Sequence, residues 1–214
     1  MKLASAPAPT GNRFERRRQR TRSELVTAAT RVLARKGFHE TKVTDIAAAA
    51  DVGVGTFYLH FRDKEALFHA VVAETAARLK ATVDAARERA DGPVDQVLAA
   101  NAAFCRFAEQ NREVFKIVFG HAAAYDDVIR RAQALFAGDI EATVREGVAS
   151  GAFAALPPAA VAQAVVGMAT QMLSWWAEHE AVSIQTVHDT LSTMALRALC
   201  ATPPTSPDKG VSDG

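Results

Sequence analysis

The chain has 214 residues, 49% of them apolar, which is enough to bury a core in one or two domains. Its net charge of +1 is unevenly divided, because residues 1–70 carry +6 and residues 71–214 carry −5, so only the first third suits a polyanionic partner. Two cysteines, Cys105 and Cys200, lie far apart in apolar patterns. This argues against a disulfide framework, and we expect a cytoplasmic protein.

The first predicted helix follows a Pro/Ala-rich segment, residues 1–12, which lacks an apolar run long enough for a secretory signal and is expected to be a disordered arm. The helix is predicted from about Arg13 to Arg35, because Leu25, Ala28 and Val32 belong to an apolar stripe with helical spacing. Gly37 is expected to end it.

Two short helices are predicted next, at about 43–50 and 54–60, separated by a turn at residues 51–53. The Thr41 hydroxyl can cap the first of them. A pair of helices with such a turn has the geometry of a helix-turn-helix, whose second helix lies in the major groove of DNA. On this second helix, Val54, Phe57 and Phe61 can face the core. The opposite face is then left to Gly55, Thr56, Tyr58 and His60.

A fourth helix is predicted to begin after Asp63, its expected N-cap. Lys64 lies in the first turn, where a cation opposes the helix dipole. A phosphate bound there would reverse the sign of this effect. The alternative is a solvated lysine offset by Asp63 and Glu65.

Residues 21–68 resemble the DNA-binding domain of TetR-family transcriptional regulators. The resemblance is carried by Thr21-Arg22, Ala28-Ala29, Gly37-Phe38, Thr41, Ile46-Ala47, the run VGVGTFYLHF at 52–61, and Lys64-Glu65-Ala66-Leu67. It implies that Tyr58 and Lys64 hold backbone phosphates, and that Thr44 and the exposed face of the second short helix reach the groove. Gly55 would let the backbone approach the DNA closely.

Two positions depart from the family pattern. Gly53 stands where the family often has a capping Ser, and Lys42 stands where a Ser or Thr often begins the helix. Lys42 could replace a hydroxyl–phosphate bond with an ion pair, which leaves the capping of this helix open. The predicted DNA-contacting residues are Arg17, Lys42, Thr44, Val54, Gly55, Thr56, Tyr58, His60 and Lys64.

The arginine cluster at residues 13–22 is a further basic feature, and Arg17 belongs to it. Such runs are often only solvated. Here the cluster adjoins the predicted DNA-binding domain, so we hypothesise that it touches phosphates or an adjacent minor groove and adds affinity with little sequence information.

The remainder of the chain is predicted to be helical, which makes the fold all-α. We expect an N-terminal helix-turn-helix domain at 13–62, a C-terminal helical domain for dimerisation and ligand binding at 63–200, and a disordered tail at 201–214. The stretch from Gly147 to Ala177 has no charged residue, and its second part is about as long as a membrane span. Its alanines and glutamines favour a buried interface helix, so no membrane partner is expected.

The last two predicted helices, at about 158–180 and 183–200, can bury their excess apolar surface against a second copy of the chain. The resemblance implies a homodimer formed in this way, which would read a palindromic operator in double-stranded DNA. It also implies a small-molecule effector that shifts the fourth helix and releases the DNA. We therefore expect a repressor. The alternative is a constitutive or architectural DNA-binding protein without an effector.

The candidate effector contacts are polar or aromatic residues within apolar patterns, although most such residues belong simply to a core. A buried amide is more informative, since it needs a hydrogen-bond partner. The candidates are Asn101, Phe104, Phe107, His121, Tyr125, Met168, Gln171, Met172 and Trp175.

An enzyme is the competing class of protein. The sequence lacks the usual nucleophile, phosphate-loop, zinc-protease and C-x-x-C motifs, and the six histidines have no ligand spacing. A Cys105–His121 pair and a metal-sensing regulator remain minor alternatives. We expect no enzyme, no cofactor and no metal site.

Overall fold

The computed structural model describes residues 13–120 and 126–200, and it describes side chains for 13–117 and 130–200. Within these ranges the chain forms nine helices and no strand. They are α1 Arg13–Glu40, α2 Val43–Ala49, α3 Val54–His60, α4 Lys64–Arg87, α5 Gly92–Gln110, α6 Arg112–Gly120, α7 Asp126–Ala149, α8 Pro158–Glu178 and α9 Ile184–Cys200. The all-α prediction is confirmed. The expected disordered arm and tail lie outside the described residues.

The end of α1 is set by Gly37, as predicted. Its φ of 76° and ψ of 166° are non-helical and kink the chain before the last residues of α1. Only glycine adopts such a backbone conformation without a steric penalty. The kink turns Phe38 into the core, where its ring meets that of Phe68 edge to face at 5.4 Å.

The start of α2 differs from the prediction. Thr41 is buried, and its hydroxyl donates to the Gly37 carbonyl oxygen at 2.7 Å rather than capping α2. Lys42 is the N-cap residue, and its backbone N–H donates to Asp45 Oδ2 at 3.0 Å. The hydroxyl is therefore used to close the kink that ends α1.

A short turn joins α2 to α3. Asp51 has a φ of 53°, a left-handed conformation that Asp tolerates better than most residues. The Val52 N–H donates to the Ala47 carbonyl oxygen at 3.0 Å, which ties the turn to the end of α2. One apolar core then holds α1, α2, α3 and the first turns of α4 together, with Leu25, Ile46, Phe57 and Phe68 fully buried.

Helix α4 connects this core to the C-terminal helices. The Asp63 side chain caps α4 as predicted, accepting from the Ala66 N–H at 2.6 Å. Further along, α4 packs against α5 and α7, while α7 packs against α8 and α5 against α9. Helix α6 lies between the two parts, since it packs against both α1 and α8. No described helix is both long and apolar enough to cross a membrane.

Candidate nucleic-acid interface and effector cavity

The outward face of α3 is formed by four residues at i, i+1, i+4 and i+5. Gly55 is exposed, and the exposed fractions of Val54, Tyr58 and Leu59 are 39%, 55% and 74%. Phe57 and Phe61 face the core as predicted, but Val54 does not. Leu59 was missed by the sequence analysis. With Val54 and Tyr58 it gives one face of α3 three exposed large apolar side chains, and such a cluster marks an interaction site better than a single one does.

Two other predicted contact residues, Thr56 and His60, are only half-buried at the flank of α3. The pKa of His60 is lowered from its ordinary 6.5, first by burial and then by the positive charges of Arg18 and Arg22. The geometry agrees, because Arg22 of α1 lies over the ring of Phe61, the residue that follows α3. The start of α1 therefore adjoins the end of α3.

The basic ridge on α1 is formed by the exposed arginines of its first turns. Arg17 is exposed, and Arg20 pairs with Glu24 one turn away at 2.8 Å. Arg22 differs from the others because it forms an ion pair with Glu74 of α4 and lies over the Phe61 ring, 5.1 Å from its centroid. Arg22 thus fastens α1 and α3 to α4.

On α2, Lys42 and Thr44 are exposed, as a DNA-contacting role requires. The Asp45 carboxylate forms an ion pair with Lys36, whose ammonium is 3.0 Å from Asp45 Oδ1. The hydrogen bond from the Lys42 backbone, followed by the contact with Lys36, lowers the pKa of this carboxyl group. The one acidic group of α2 is therefore neutralised locally.

Lys64 has a structural environment that the sequence did not indicate. Its ammonium donates to the carbonyl oxygens of Phe38 at 2.5 Å and Thr41 at 2.8 Å, with that of His39 at 3.5 Å. It also lies 4.3 Å from the centroid of the Phe38 ring. Lys64 therefore holds the end of α1 against the start of α4, and its bonds with these carbonyls would compete with a phosphate.

A second candidate site is a cavity of about 230 Å³ in the C-terminal part, walled by α4 to α9. Of the predicted contacts, Asn101, Phe104 and Met168 line it. Nearly all of its wall is apolar, formed by side chains such as Leu79 and Phe115. Such a space favours an apolar guest.

Several polar groups at the cavity already have hydrogen-bond partners within the protein. Arg87 donates to Thr143 Oγ1 at 2.5 Å and to the Asp139 carbonyl oxygen at 3.3 Å. The Lys80 ammonium lies 2.6 Å from the Asp139 carboxylate. This hydrogen bond is the first cause of the raised pKa of Lys80. Asn101 donates to Ser192 Oγ at 2.6 Å and to the His188 carbonyl oxygen at 3.1 Å. The half-buried Asn101 amide thus has two hydrogen-bond acceptors.

Several predicted cavity contacts lie elsewhere. Phe107 and Met172 pack in the C-terminal core without lining the cavity. Gln171 and Trp175 are on the exposed face of α8, because they lie on the side of the helix opposite the fully buried Leu173. The remaining two, His121 and Tyr125, fall outside the described residues.

Cys105 is buried, and burial raises its pKa to about 11. A catalytic cysteine needs the opposite shift, toward the thiolate. Its Sγ lies 3.7 Å from Asn101 Oδ1, on the same helix. We therefore assign Cys105 to the packing of α5.

Comparisons with known proteins agree with this geometry. A family model described as bacterial regulatory proteins of the tetR family matches residues 25–71, and one for the tetracyclin repressor-like C-terminal domain matches residues 90–199. The HTH-type transcriptional regulator YhgD of Bacillus subtilis is 24% identical over 182 residues, covering 83% of this chain and 95% of that protein. The HTH-type transcriptional repressor DhaR of Mycobacterium sp. strain GP1 is 39% identical over 72 residues, 34% of this chain and 36% of that protein.

Solved structures show the same fold. The regulator FadR from Bacillus subtilis, in complex with stearoyl-CoA, has a TM-score of 0.75 at 15% identity, covering 82% of this chain and 98% of that one. The fatty acid degradation regulator FadR from Bacillus halodurans has a TM-score of 0.74 at 17% identity, covering 90% and 97%. With an N-terminal helix-turn-helix and a matching C-terminal domain, the chain belongs to the TetR family of DNA-binding transcriptional regulators.

Proposed function

We propose that the protein is a repressor that binds a palindromic operator as a homodimer and leaves it when an apolar small molecule occupies the cavity. The observation that carries the DNA-binding part is the exposed face of α3 together with the exposed arginines of α1, the helix whose Arg22 lies over the Phe61 ring at the end of α3. The exposed Tyr58, Lys42 and Thr44 would contact the DNA, and Gly55 would leave room for the backbone to approach it. The arginine side chains add charge attraction to phosphates.

Dimerisation is supported by the exposed face of α8. Ala160, Ala164 and Gly167 are exposed at helical spacing, followed by Gln171 and Trp175, and none of these residues is charged. Small residues allow two helices to approach closely, and an uncharged exposed stripe is suited to burial against another copy. Two copies then present two α3 helices to half-sites about one helical turn apart, roughly 34 Å, or a multiple of it.

The effector is supported by the volume and lining of the cavity. FadR from Bacillus subtilis was solved with stearoyl-CoA, so a neighbour in fold space accommodates an acyl ligand. The apolar cavity of about 230 Å³ in this chain suits an effector of modest size with few polar groups.

The path from the cavity to the DNA-binding domain is short. Val72 of α4 and Val114 of α6 both line the cavity, and both also pack in the core of the DNA-binding domain. A ligand that displaces these two side chains would therefore shift α4 and α6 together. The separation of the two α3 helices, and with it operator affinity, would change.

The first test is selection of bound sequences from a random pool of duplex DNA. We expect a palindrome with the half-site spacing given above. Failure to enrich any duplex, even at low salt, would overturn the proposed function. Enrichment of a single half-site by a monomer would overturn the dimer.

The effector is tested with a compound panel, by thermal shift and by release of the selected operator. Filling the cavity with Ala169→Leu should preserve operator binding and abolish release by any active compound. Ala134→Leu on the exposed side of α7 makes the same change outside the cavity and should leave release intact. If no compound both stabilises the protein and releases DNA, the constitutive alternative replaces the effector-controlled one.

A further inference from the structure

The outward face of α3 has an unusual composition for a helix that reads DNA. The helix VGTFYLH contains no arginine, lysine, asparagine, glutamine, aspartate or glutamate. Its outward face combines two aliphatic side chains, Val54 and Leu59, with Tyr58 and the bare backbone at Gly55. Leu59 is the most exposed of them, so most of its apolar surface faces water in the free protein.

The chemistry of base recognition limits what such a face can read. Guanine is read in the major groove by Arg or Lys, adenine by Asn or Gln, and cytosine by Asp or Glu. Thymine alone presents an apolar group there, its C5-methyl, which is recognised by apolar side chains. Aliphatic side chains placed against polar base edges would leave those edges without partners, which disfavours other bases.

Positive charge is carried by segments other than α3. The helix α3 has no lysine or arginine, and the exposed cations near it in the chain belong to other segments: the arginines of α1, Lys42, and Arg62, which pairs with Asp63. Those cations are suited to phosphates, which fix register without reading sequence. Apart from the Tyr58 hydroxyl, the side chains on the outward face of α3 are apolar.

We propose that Leu59 and Val54 determine specificity by packing against thymine methyl groups in each half-site, so that the bases under α3 are read by their methyls. This inference rests on the proposed function, in which α3 lies in the major groove. Beyond that function, it identifies thymine as the base that is read and Leu59 and Val54 as the side chains that read it. The half-sites are therefore expected to contain thymine at the positions under α3.

The test uses the full chain and the operator recovered by selection. Each thymine of the half-sites is replaced in turn by deoxyuridine, which removes only the methyl and keeps the base pair. A methyl buried under Leu59 or Val54 should contribute about fourfold in affinity, the factor expected for burying one methyl-sized group. Deoxyuridine placed outside the half-sites is the DNA control and should change nothing.

A protein–DNA double-mutant cycle assigns the contact. Leu59→Ala should weaken binding to the natural operator and abolish the deoxyuridine effect at its own thymine, and Val54→Ala should do the same at a second one. Leu135→Ala removes an exposed leucine from α7, in the C-terminal part, and should retain the full deoxyuridine effect. Circular dichroism checks that each variant folds.

The outcomes distinguish failure of the thymine-methyl inference from failure of the proposed function. Tight operator binding that is unaffected by deoxyuridine at every half-site position overturns the methyl inference and leaves the proposed function standing. A deoxyuridine effect of equal size in wild type, Leu59→Ala and Val54→Ala overturns the assignment to these side chains. Absence of binding to any duplex overturns both.

Discussion

The ammonium of Lys64 lies 2.5 Å from the carbonyl oxygen of Phe38 and 4.3 Å from the centroid of its ring. These residues are 26 positions apart, at the start of α4 and just beyond the kink in α1. One lysine therefore joins the last carbonyls of α1 to the helix that leads into the C-terminal domain. This position makes Lys64 a structural residue of the helix-turn-helix domain, whatever it also does with DNA.

Lys64→Met is expected to lower the free energy of unfolding by about 1–2 kcal/mol, because it removes charge-assisted bonds to the carbonyls while the apolar stem stays. The log–log salt dependence of operator binding should keep its slope. Lys42→Met, at an exposed lysine, should instead reduce the slope by about 0.9 for each phosphate that is no longer neutralised. Denaturant titration and binding at several salt concentrations measure both. An equal decrease of slope in Lys64→Met would mean that Lys64 holds a phosphate directly.

Gly55→Ala separates folding from DNA binding. A Cβ at Gly55 would meet no atom within 4 Å, so the protein itself has room for it. Because alanine favours helix over glycine, the melting temperature should stay the same or rise, with a gain of up to about 0.5–1 kcal/mol. Operator affinity should fall at least tenfold if the backbone here approaches the DNA.

The matched control for Gly55→Ala is Gly138→Ala on α7, which likewise has open space at the Cβ position. It should leave the DNA-contacting surface unchanged. Unaltered operator affinity in Gly55→Ala, measured by fluorescence anisotropy, would show that no close approach occurs at this position.

Operator binding should depend on pH through His60. Burial and the charges of Arg18 and Arg22 hold its pKa below 6.5 in the free protein, so the ring is neutral at pH 7. Approaching phosphates would raise this pKa. A group whose pKa rises on binding takes up a proton, so affinity should increase as the pH falls through the interval between the bound and free pKa values.

The histidine assignment is tested by dissociation constants between pH 5.5 and 7.5. His60→Gln should remove most of the pH dependence, whereas His69→Gln, at an exposed histidine of α4, should preserve it. The folding stability of the free protein should depend on pH in the opposite direction. Because folding lowers the pKa of His60, the free energy of unfolding should decrease as the pH falls below about 6.5. Identical pH profiles for wild type and His60→Gln would remove His60 from the interface.

Asn101 and Ser192 are expected to behave as a unit. Asn101→Ala leaves the buried Ser192 hydroxyl without its donor and should lower the free energy of unfolding by about 1–3 kcal/mol. Ser192→Ala in the same chain removes the stranded group, so the double variant should lose less than the sum of the two single variants. Urea denaturation measures the cycle, and strict additivity would show that the two side chains do not interact.

Much of the fold could be predicted from the sequence because its signals are local. Helical spacing located α1 to α4 within a few residues, Gly37 marked the kink and Asp63 the cap of α4. Pro93 lies in the first turn of α5. Proline is accepted there because that turn has no need of its N–H.

The rotation of α3 could not be predicted reliably. A helix of seven residues contains only two turns, too few repeats for periodicity to decide whether Val54 faces the core, and the exposure of Leu59 was missed for the same reason. The cavity presented a similar difficulty on α8. Met168 and Gln171 are both plausible from their spacing, yet only Met168 lines the cavity.

By itself the sequence determined the helices, the family and the basic N-terminal surface, because propensity, apolar spacing and charge are properties of neighbouring residues. Only the tertiary structure decided which side chains share a site: Lys64 with Phe38, Arg22 with Glu74, and Val72 with Val114 between cavity and DNA-binding core. Such contacts join residues tens of positions apart, and they depend on how whole helices rotate and pack against one another, which no local pattern encodes.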